Sequence, residues 1–208
     1  VREQMISVLD DIGVDAIKVG MLHRPEIIEA VVDVLAEKAR MIPLVIDPVM
    51  VAKGGTGLIE KEAIIALKNN LLPKATLLTP NAPEAAILSG TDVQTVADSL
   101  ASASIMLNKG AKTILMKGGH LEGDELIDIL VQGGGSPEYF KGPRIKTRNT
   151  HGTGCTLASA CAVGLAQGLS LKKAVYRAHT YVRLAIQEAP GYGSGHGPLN
   201  HAHTLEKF

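Results

Sequence analysis

The sequence predicts an α/β sandwich built on a mainly parallel sheet. Three observations carry that prediction. Runs such as Pro43-Leu44-Val45-Ile46-Asp47 and Lys112-Thr113-Ile114-Leu115-Met116-Lys117 lack the polar alternation of a half-exposed strand, as burial on both faces requires. Amphipathic helical stretches separate these runs, the pattern of strand–helix–strand crossovers. Turn or polar residues close the strands: Asp47, the Thr79-Pro80-Asn81 corner and Gly118-Gly119. Open parallel sheets bind ligands at their carboxyl ends, so these three should converge on one side.

The elements follow in order. Val1 to Ile6 reads as the middle of an amphipathic helix, and Ala16 to Met21 as a short strand. Pro25 opens a helix with Ile27, Ile28, Val31, Val32 and Leu35 on one face, since proline suits the first helical turn. After the Pro43–Asp47 strand, Val51 to Leu58 contains Gly54, Gly55 and Gly57 and reads as a flexible loop, with a helix from there to about Asn70. Thr76 to Pro80 is the next strand, with helices expected from Pro83 and from Val93. The strand ending at Lys117 follows. Glu125–Gln132 and Glu138–Ile145 then flank Gly133-Gly134-Gly135-Ser136, a hairpin signal. Two helices close the chain. The first is rich in small residues from Thr156, and the second carries Leu171, Ala174, Val175, Ala178, Val182, Ala185 and Ile186 on one stripe. No internal repeat or linker divides the 208 residues, which form one domain.

Composition narrows the function. Lys+Arg and Asp+Glu both number 21, which removes a global electrostatic case for nucleic acid or a membrane surface. An aromatic content of 3% is too low for base-stacking platforms. No apolar run reaches membrane-spanning length. Cys155 and Cys161 would lie roughly 9 Å apart along one helix, too far for a disulfide. Reduced thiols suit the cytosol, so a cytoplasmic protein is expected.

The chemistry concentrates in Asn149-Thr150-His151-Gly152-Thr153-Gly154-Cys155. A glycine-rich turn opening a helix aims unpartnered N–H groups at one point, where the dipole is positive and an anion is favoured. A cysteine there should feel the same field, which favours its thiolate. Asp47 at a strand end and Glu84 in a first helical turn could together serve Mg²⁺, which prefers oxygen ligands and keeps several waters. A turn-forming Asp47 and a helix-dipole role for Glu84 explain the same residue types equally well. Lys117 could contact a phosphate or simply snorkel at a strand end. Lys53 could close over phosphates from its loop or stay solvated. His196, His201 and His203 lack the cysteine or carboxylate spacing of a metal site. Neither Gly-x-x-x-x-Gly-Lys-Ser/Thr nor Gly-x-Gly-x-x-Gly occurs, so a P-loop NTPase and a dinucleotide fold have no support.

Several segments, in this order, resemble the hydroxymethylpyrimidine/phosphomethylpyrimidine kinases of the ribokinase-like superfamily. They are Lys18-Val19-Gly20-Met21-Leu22; Asp47-Pro48-Val49-Met50 with Lys53; Thr79-Pro80-Asn81-Ala82-Pro83-Glu84-Ala85; Leu115-Met116-Lys117-Gly118-Gly119-His120; Asn149 through Ala160; and Gly195-His196-Gly197-Pro198. The cysteine of Gly-Thr-Gly-Cys sharpens the match, since sugar kinases of that superfamily carry aspartate there. The resemblance implies a three-layer α/β/α domain that phosphorylates a pyrimidine alcohol and then its monophosphate with ATP and Mg²⁺, in thiamine biosynthesis. By position it makes Cys155 the base and the amides of Gly152, Thr153 and Gly154 the anion hole. Asp47 and Glu84 would serve Mg²⁺. Asn81, Lys117, Lys53 and Thr79 would face ATP, and Met21 and Val49 would line the pyrimidine pocket. It also implies a homodimer.

One departure stands out. The family's glycine-rich amino-terminal strand-turn segment, with its glutamine, has no counterpart here. A single kinase domain over 1–208 lacking that strand segment is therefore expected. A pyridoxal kinase of the same fold and a non-catalytic ligand-binding domain are the alternative readings.

Overall fold

The computed structural model describes residues 1–51 and 57–205. Its chain order is α1 (Arg2–Asp11), β1 (Ile17–Val19), α2 (Pro25–Lys38), β2 (Leu44–Ile46), α3 (Lys61–Ala66), β3 (Leu77–Leu78), α4 (Ala82–Ser89), α5 (Val96–Asn108), β4 (Thr113–Met116), β5 (Glu125–Gln132), β6 (Glu138–Pro143), α6 (Thr153–Ala166) and α7 (Leu171–Gln187). The six strands form one sheet in sequence order, β1 to β6. β1 to β4 run parallel, and β4–β5–β6 are antiparallel.

Topology and side-chain alternation create the layers. Crossovers between parallel neighbours have a fixed right hand, and the strand order never reverses. The connecting helices α2 to α5 therefore share one face of the sheet. Leu44, Ile46, Leu78, Ile114, Met116 and Ile129 point into the core beneath them. The intervening residues Val45, Leu77, Leu115 and Leu130 point the other way, against Leu157, Ala158, Cys161, Val175 and Ala178 of α6 and α7. This is the expected three-layer, mainly parallel architecture. Truncating a fully buried member such as Ile46 to alanine would cost about 2–5 kcal/mol.

Local chemistry moved some boundaries. α5 begins at Val96 rather than Val93 because Thr95 and Asp98 cap it reciprocally: Thr95 Oγ1 accepts the Asp98 N–H at 3.1 Å, and Asp98 Oδ2 accepts the Thr95 N–H at 2.9 Å. The helix from Lys61 loosens at Leu67–Leu71 into a wider turn. β6 ends at Pro143, short of Ile145, and the Arg144 side chain donates to the Gly119, Leu121 and Gly123 carbonyls. No helix among the described residues is long and apolar enough to cross a membrane.

Candidate active site

The period of two that builds the layers also builds the site. Asp47, Thr79 and Lys117 each follow the last residues of a strand, with the ladder continuing through Asp47 N to Val19 O (2.9 Å), Thr79 N to Ile46 O (2.9 Å) and Lys117 N to Pro80 O (2.9 Å). Counting from Val45, Leu77 and Leu115, all three side chains fall on the α6 face.

There they meet. Lys117 Nζ donates to Asp47 Oδ1 at 2.7 Å and stands 3.6 Å from Glu84 Oε2. Thr79 Oγ1 lies 3.2 Å from the same Asp47 oxygen. Asp47, Thr79 and Glu84 are all buried. Burial alone would pull the Lys117 ammonium down, but the charges of Asp47 and Glu84 outweigh it and hold it above its ordinary value. Glu84 moves up, because burial outweighs the attraction of Lys117. Among the described residues Asp47 Oδ2 is buried with no hydrogen-bond partner, a costly state for a carboxylate oxygen. An unsatisfied hard oxygen donor with a second carboxylate nearby suits Mg²⁺ that keeps waters and phosphate oxygens. The described residues hold no cluster of three or more His, Cys, Asp or Glu that could form an all-protein metal cage.

Glu84 reaches this cluster through the start of α4. The Asn81 side chain accepts the Glu84 N–H at 2.9 Å, and Glu84 Oε2 accepts the Asn81 N–H at 2.8 Å. Pro occupies the first turn. Asn81 also bridges to Lys117 across the strand ends. The Asn81 carbonyl oxygen is thus committed to the cap.

α6 starts differently. Its cap is Gly152 at φ +82°, a left-handed conformation that favours glycine, and no side chain of the described residues caps the helix. Thr153 turns its hydroxyl back to Thr150 O at 3.2 Å, and Thr156 N bonds Gly152 O at 2.9 Å. The first amides therefore lack intrahelical acceptors. Gly154 permits close approach: a Cβ there would stand 3.1 Å from Lys117 Nζ and 4.0 Å from Asp47 Oδ2. The open helix end and the Asp47–Lys117 pair are thereby brought together. The loop before it is held from the tail by His151 N bonding Gly197 O at 3.1 Å.

Cys155 corrects one expectation. Its thiol is pushed up, not down: burial of its inner side is the largest cause and the Asp47 charge adds to it, while Lys18 and Lys117 pull the other way. Burial, and then the charge of Asp47, outweighs the favourable field of a helix start. Cys155 is exposed and borders an open groove of ≈ 530 Å³ along α6 with Ser159, Val163 and Tyr181. Cys161 is buried in the core, and its thiol is pushed up to about 12.

Of the other expected residues, Met21 stands half exposed beyond the end of β1, and Val49 follows Asp47 by two, its N–H bonded to Asp47 O at 2.8 Å. Lys53 lies outside the described residues. Lys18 received no role from the sequence, although it acts electrostatically on Cys155. The signal was available: a lysine one residue before buried Val19 must point to the α6 side.

Comparisons with known proteins identify the family. A family model for phosphomethylpyrimidine kinase matches residues 1–200. The chain is 46% identical over 99% of its length to a thiamine biosynthesis bifunctional protein of Geobacter sulfurreducens, of which it spans 42%. It is 44% identical over 99% of its length to the hydroxymethylpyrimidine/phosphomethylpyrimidine kinase of Streptomyces coelicolor, of which it spans 75%. Among solved structures, an ADP complex of Bacillus subtilis pyridoxal kinase superposes with a TM-score of 0.90 at 38% identity, covering 97% of this chain and 76% of that one. Staphylococcus aureus pyridoxal kinase in complex with AMP-PCP and pyridoxal gives 0.88 at 34% identity, covering 98% and 72%. With the family match spanning nearly the whole chain, this protein belongs to the hydroxymethylpyrimidine/phosphomethylpyrimidine kinases, a ribokinase-like family of phosphotransferases.

Proposed function

We propose that this chain transfers the terminal phosphoryl group of ATP to 4-amino-5-hydroxymethyl-2-methylpyrimidine and then to its monophosphate, in thiamine biosynthesis. The observation that carries the reading is the meeting of an uncapped helix N-terminus with the Asp47–Lys117–Glu84 cluster and Cys155. Phosphoryl transfer depends mostly on positioning and on stabilising charge at the equatorial oxygens. The open amides at Gly152, Thr153 and Gly154 receive that charge, and one lost donor of this kind typically costs about 10²-fold or more. Lys117 adds a positive charge beside them, and Asn81 and Thr79 border the nucleotide side. Asp47 and Glu84 would hold Mg²⁺, directly or through water, and the bound ion would neutralise and orient the phosphates. Met21 and Val49 line the pyrimidine side. A homodimer and a cytosolic setting belong to the same proposal and rest on family likeness.

Cys155 takes the proton from the acceptor hydroxyl. A thiol pushed above its usual range is weakly ionised at neutral pH, so this role favours the alkaline side. The monophosphate acceptor already carries an ionised oxygen and needs no strong base. Cys155→Ala should therefore slow the first phosphorylation by about 10²-fold or more and the second far less. Separate single-turnover assays on the alcohol and the monophosphate check this; equal losses contradict it. The pyridoxal kinases among the superposing structures support a second reading, phosphorylation of pyridoxal. Side-by-side kcat/KM values for the two acceptors decide between them.

A further inference from the structure

Asp128 is a buried carboxylate that the groups above do not use. It sits in β5 between Ile127 and Ile129, and strand alternation turns it toward α6 and α7. Its Oδ1 accepts the Gly118 N–H at 2.8 Å. Its Oδ2 lies 3.9 Å from His179 Nε2, beyond direct hydrogen-bond range. Among the described residues His179 Nε2 is buried with no hydrogen-bond partner, and the ring stands 6.4 Å from that of Phe140, the cross-strand neighbour of Asp128. Among the described residues the one strong bond of this carboxylate thus goes to the residue directly after Lys117.

Gly118 is fixed from two sides. A Cβ there would stand 2.1 Å from Ile127 O, so the turn lies flat on β5 and only glycine fits. Its N–H is then tied to Asp128 in the same strand. A neutral side chain could accept that N–H without the cost of burying a charge. What a carboxylate adds is a charge-assisted bond of roughly twice the strength and an attraction toward Lys117.

We propose that Asp128 is a positioning residue for phosphoryl transfer: through Gly118 it sets the turn that aims Lys117 at Asp47 and Glu84. The proposal rests on the kinase reading above. The charged and titratable groups around Asp128 are Lys117 at the end of β4, His179 and Arg183 on α7, and Cys161 on α6. Burial pushes Asp128 up to about 6, against the Gly118 bond and the charges of Lys117 and Arg183. Burial, and then Arg183, pulls His179 down, while the Cys161 thiol stays protonated. Above pH 7 the cluster therefore holds a carboxylate, a neutral imidazole and a neutral thiol.

The sign of the stability effect follows. The folded value lies above the ordinary carboxyl value of about 3.9, so the contribution to stability is complete below that pH and is lost as pH rises through about 6. Asp128→Asn removes that loss while keeping an acceptor for Gly118.

The test compares Asp128→Asn and Asp128→Ala with the unsubstituted chain. It measures Mg·ADP affinity by calorimetry, hydrogen exchange of the Gly118 amide, and melting temperature at pH 5 and pH 7.5. Asp128→Asn should melt no lower than the unsubstituted chain at pH 7.5, with its relative stability falling at pH 5. It should still bind Mg·ADP about 3- to 10-fold more weakly, with faster Gly118 exchange. Asp128→Ala should lose roughly 10²-fold, as misplacement of an active-site group does. Unchanged affinity and unchanged Gly118 exchange in Asp128→Asn overturn the proposal, whether or not the alanine variant folds. If the chain phosphorylates no acceptor, the kinase reading fails, while affinity and exchange still decide the role of Asp128.

Discussion

Two helix N-termini flank the Asp47–Lys117 pair, and they are finished in opposite ways. α4 is closed: Asn81 and Glu84 satisfy each other's backbone N–H groups, at 2.9 and 2.8 Å. α6 is open: its cap residue is a glycine with positive φ and no side chain, and Gly154 in its first turn lies against Lys117 and Asp47. A capping box is worth about 1 kcal/mol, so leaving α6 uncapped forgoes stability. The contrast teaches that the positive end of α4 holds a carboxylate of its own chain, whereas that of α6 is left open; in the function proposed above, it receives an anion from outside.

The comparison can be broken in three places. The largest effect is expected at the pair both helices share. Lys117→Met leaves two buried carboxylates without their cation, and breaking such a cluster costs about 3–5 kcal/mol. Denaturant unfolding should register that loss, with phosphoryl transfer abolished in the folded fraction. Next is Gly152→Asp, which places a carboxylate beside the open amides of α6 in a left-handed conformation that Asp tolerates better than most residues. Nucleotide-dependent kcat/KM should fall about 10²-fold with little change in melting temperature. A variant retaining full activity would mean that the open end is not an anion site. The smallest effect is at the closed end. Asn81→Ala should cost about 1 kcal/mol and lower the melting temperature by roughly 2–4 °C. Most turnover per folded molecule should survive if Asn81 acts mainly as a cap; a much larger kinetic loss would show that it also contacts the nucleotide directly.

The sequence made much of this contrast readable. Asp47, Thr79 and Lys117 stood at strand ends, and a period of two was enough to place them on one face. Gly152-Thr153-Gly154 announced an open helix start. Asn81 and Glu84 have the spacing of a capping box, but a carboxylate near a second carboxylate also reads as a metal ligand. Only the geometry shows that Glu84 Oε2 serves the cap and faces Lys117. The state of Cys155 was not readable, because its thiol answers first to burial and then to Asp47, 108 positions away in sequence. Asp128 and His179 were missed for a similar reason. Asp128 interrupts an apolar strand and His179 an apolar helix stripe, which is a visible signal, but their meeting depends on how α7 crosses the sheet. The α5 boundary was misplaced because Val93 is apolar and buried, while the reciprocal Thr95–Asp98 cap fixes the start three residues later.

The most direct test of the open-versus-closed account follows backbone amide ¹⁵N shifts while Mg·AMP-PCP is titrated into the chain. An open α6 gives large shifts at Thr153 and Gly154 at its start, and a closed α4 gives small ones at Glu84, whose N–H is already taken by Asn81. Large shifts at the start of α4 with silent amides at the start of α6 would contradict it.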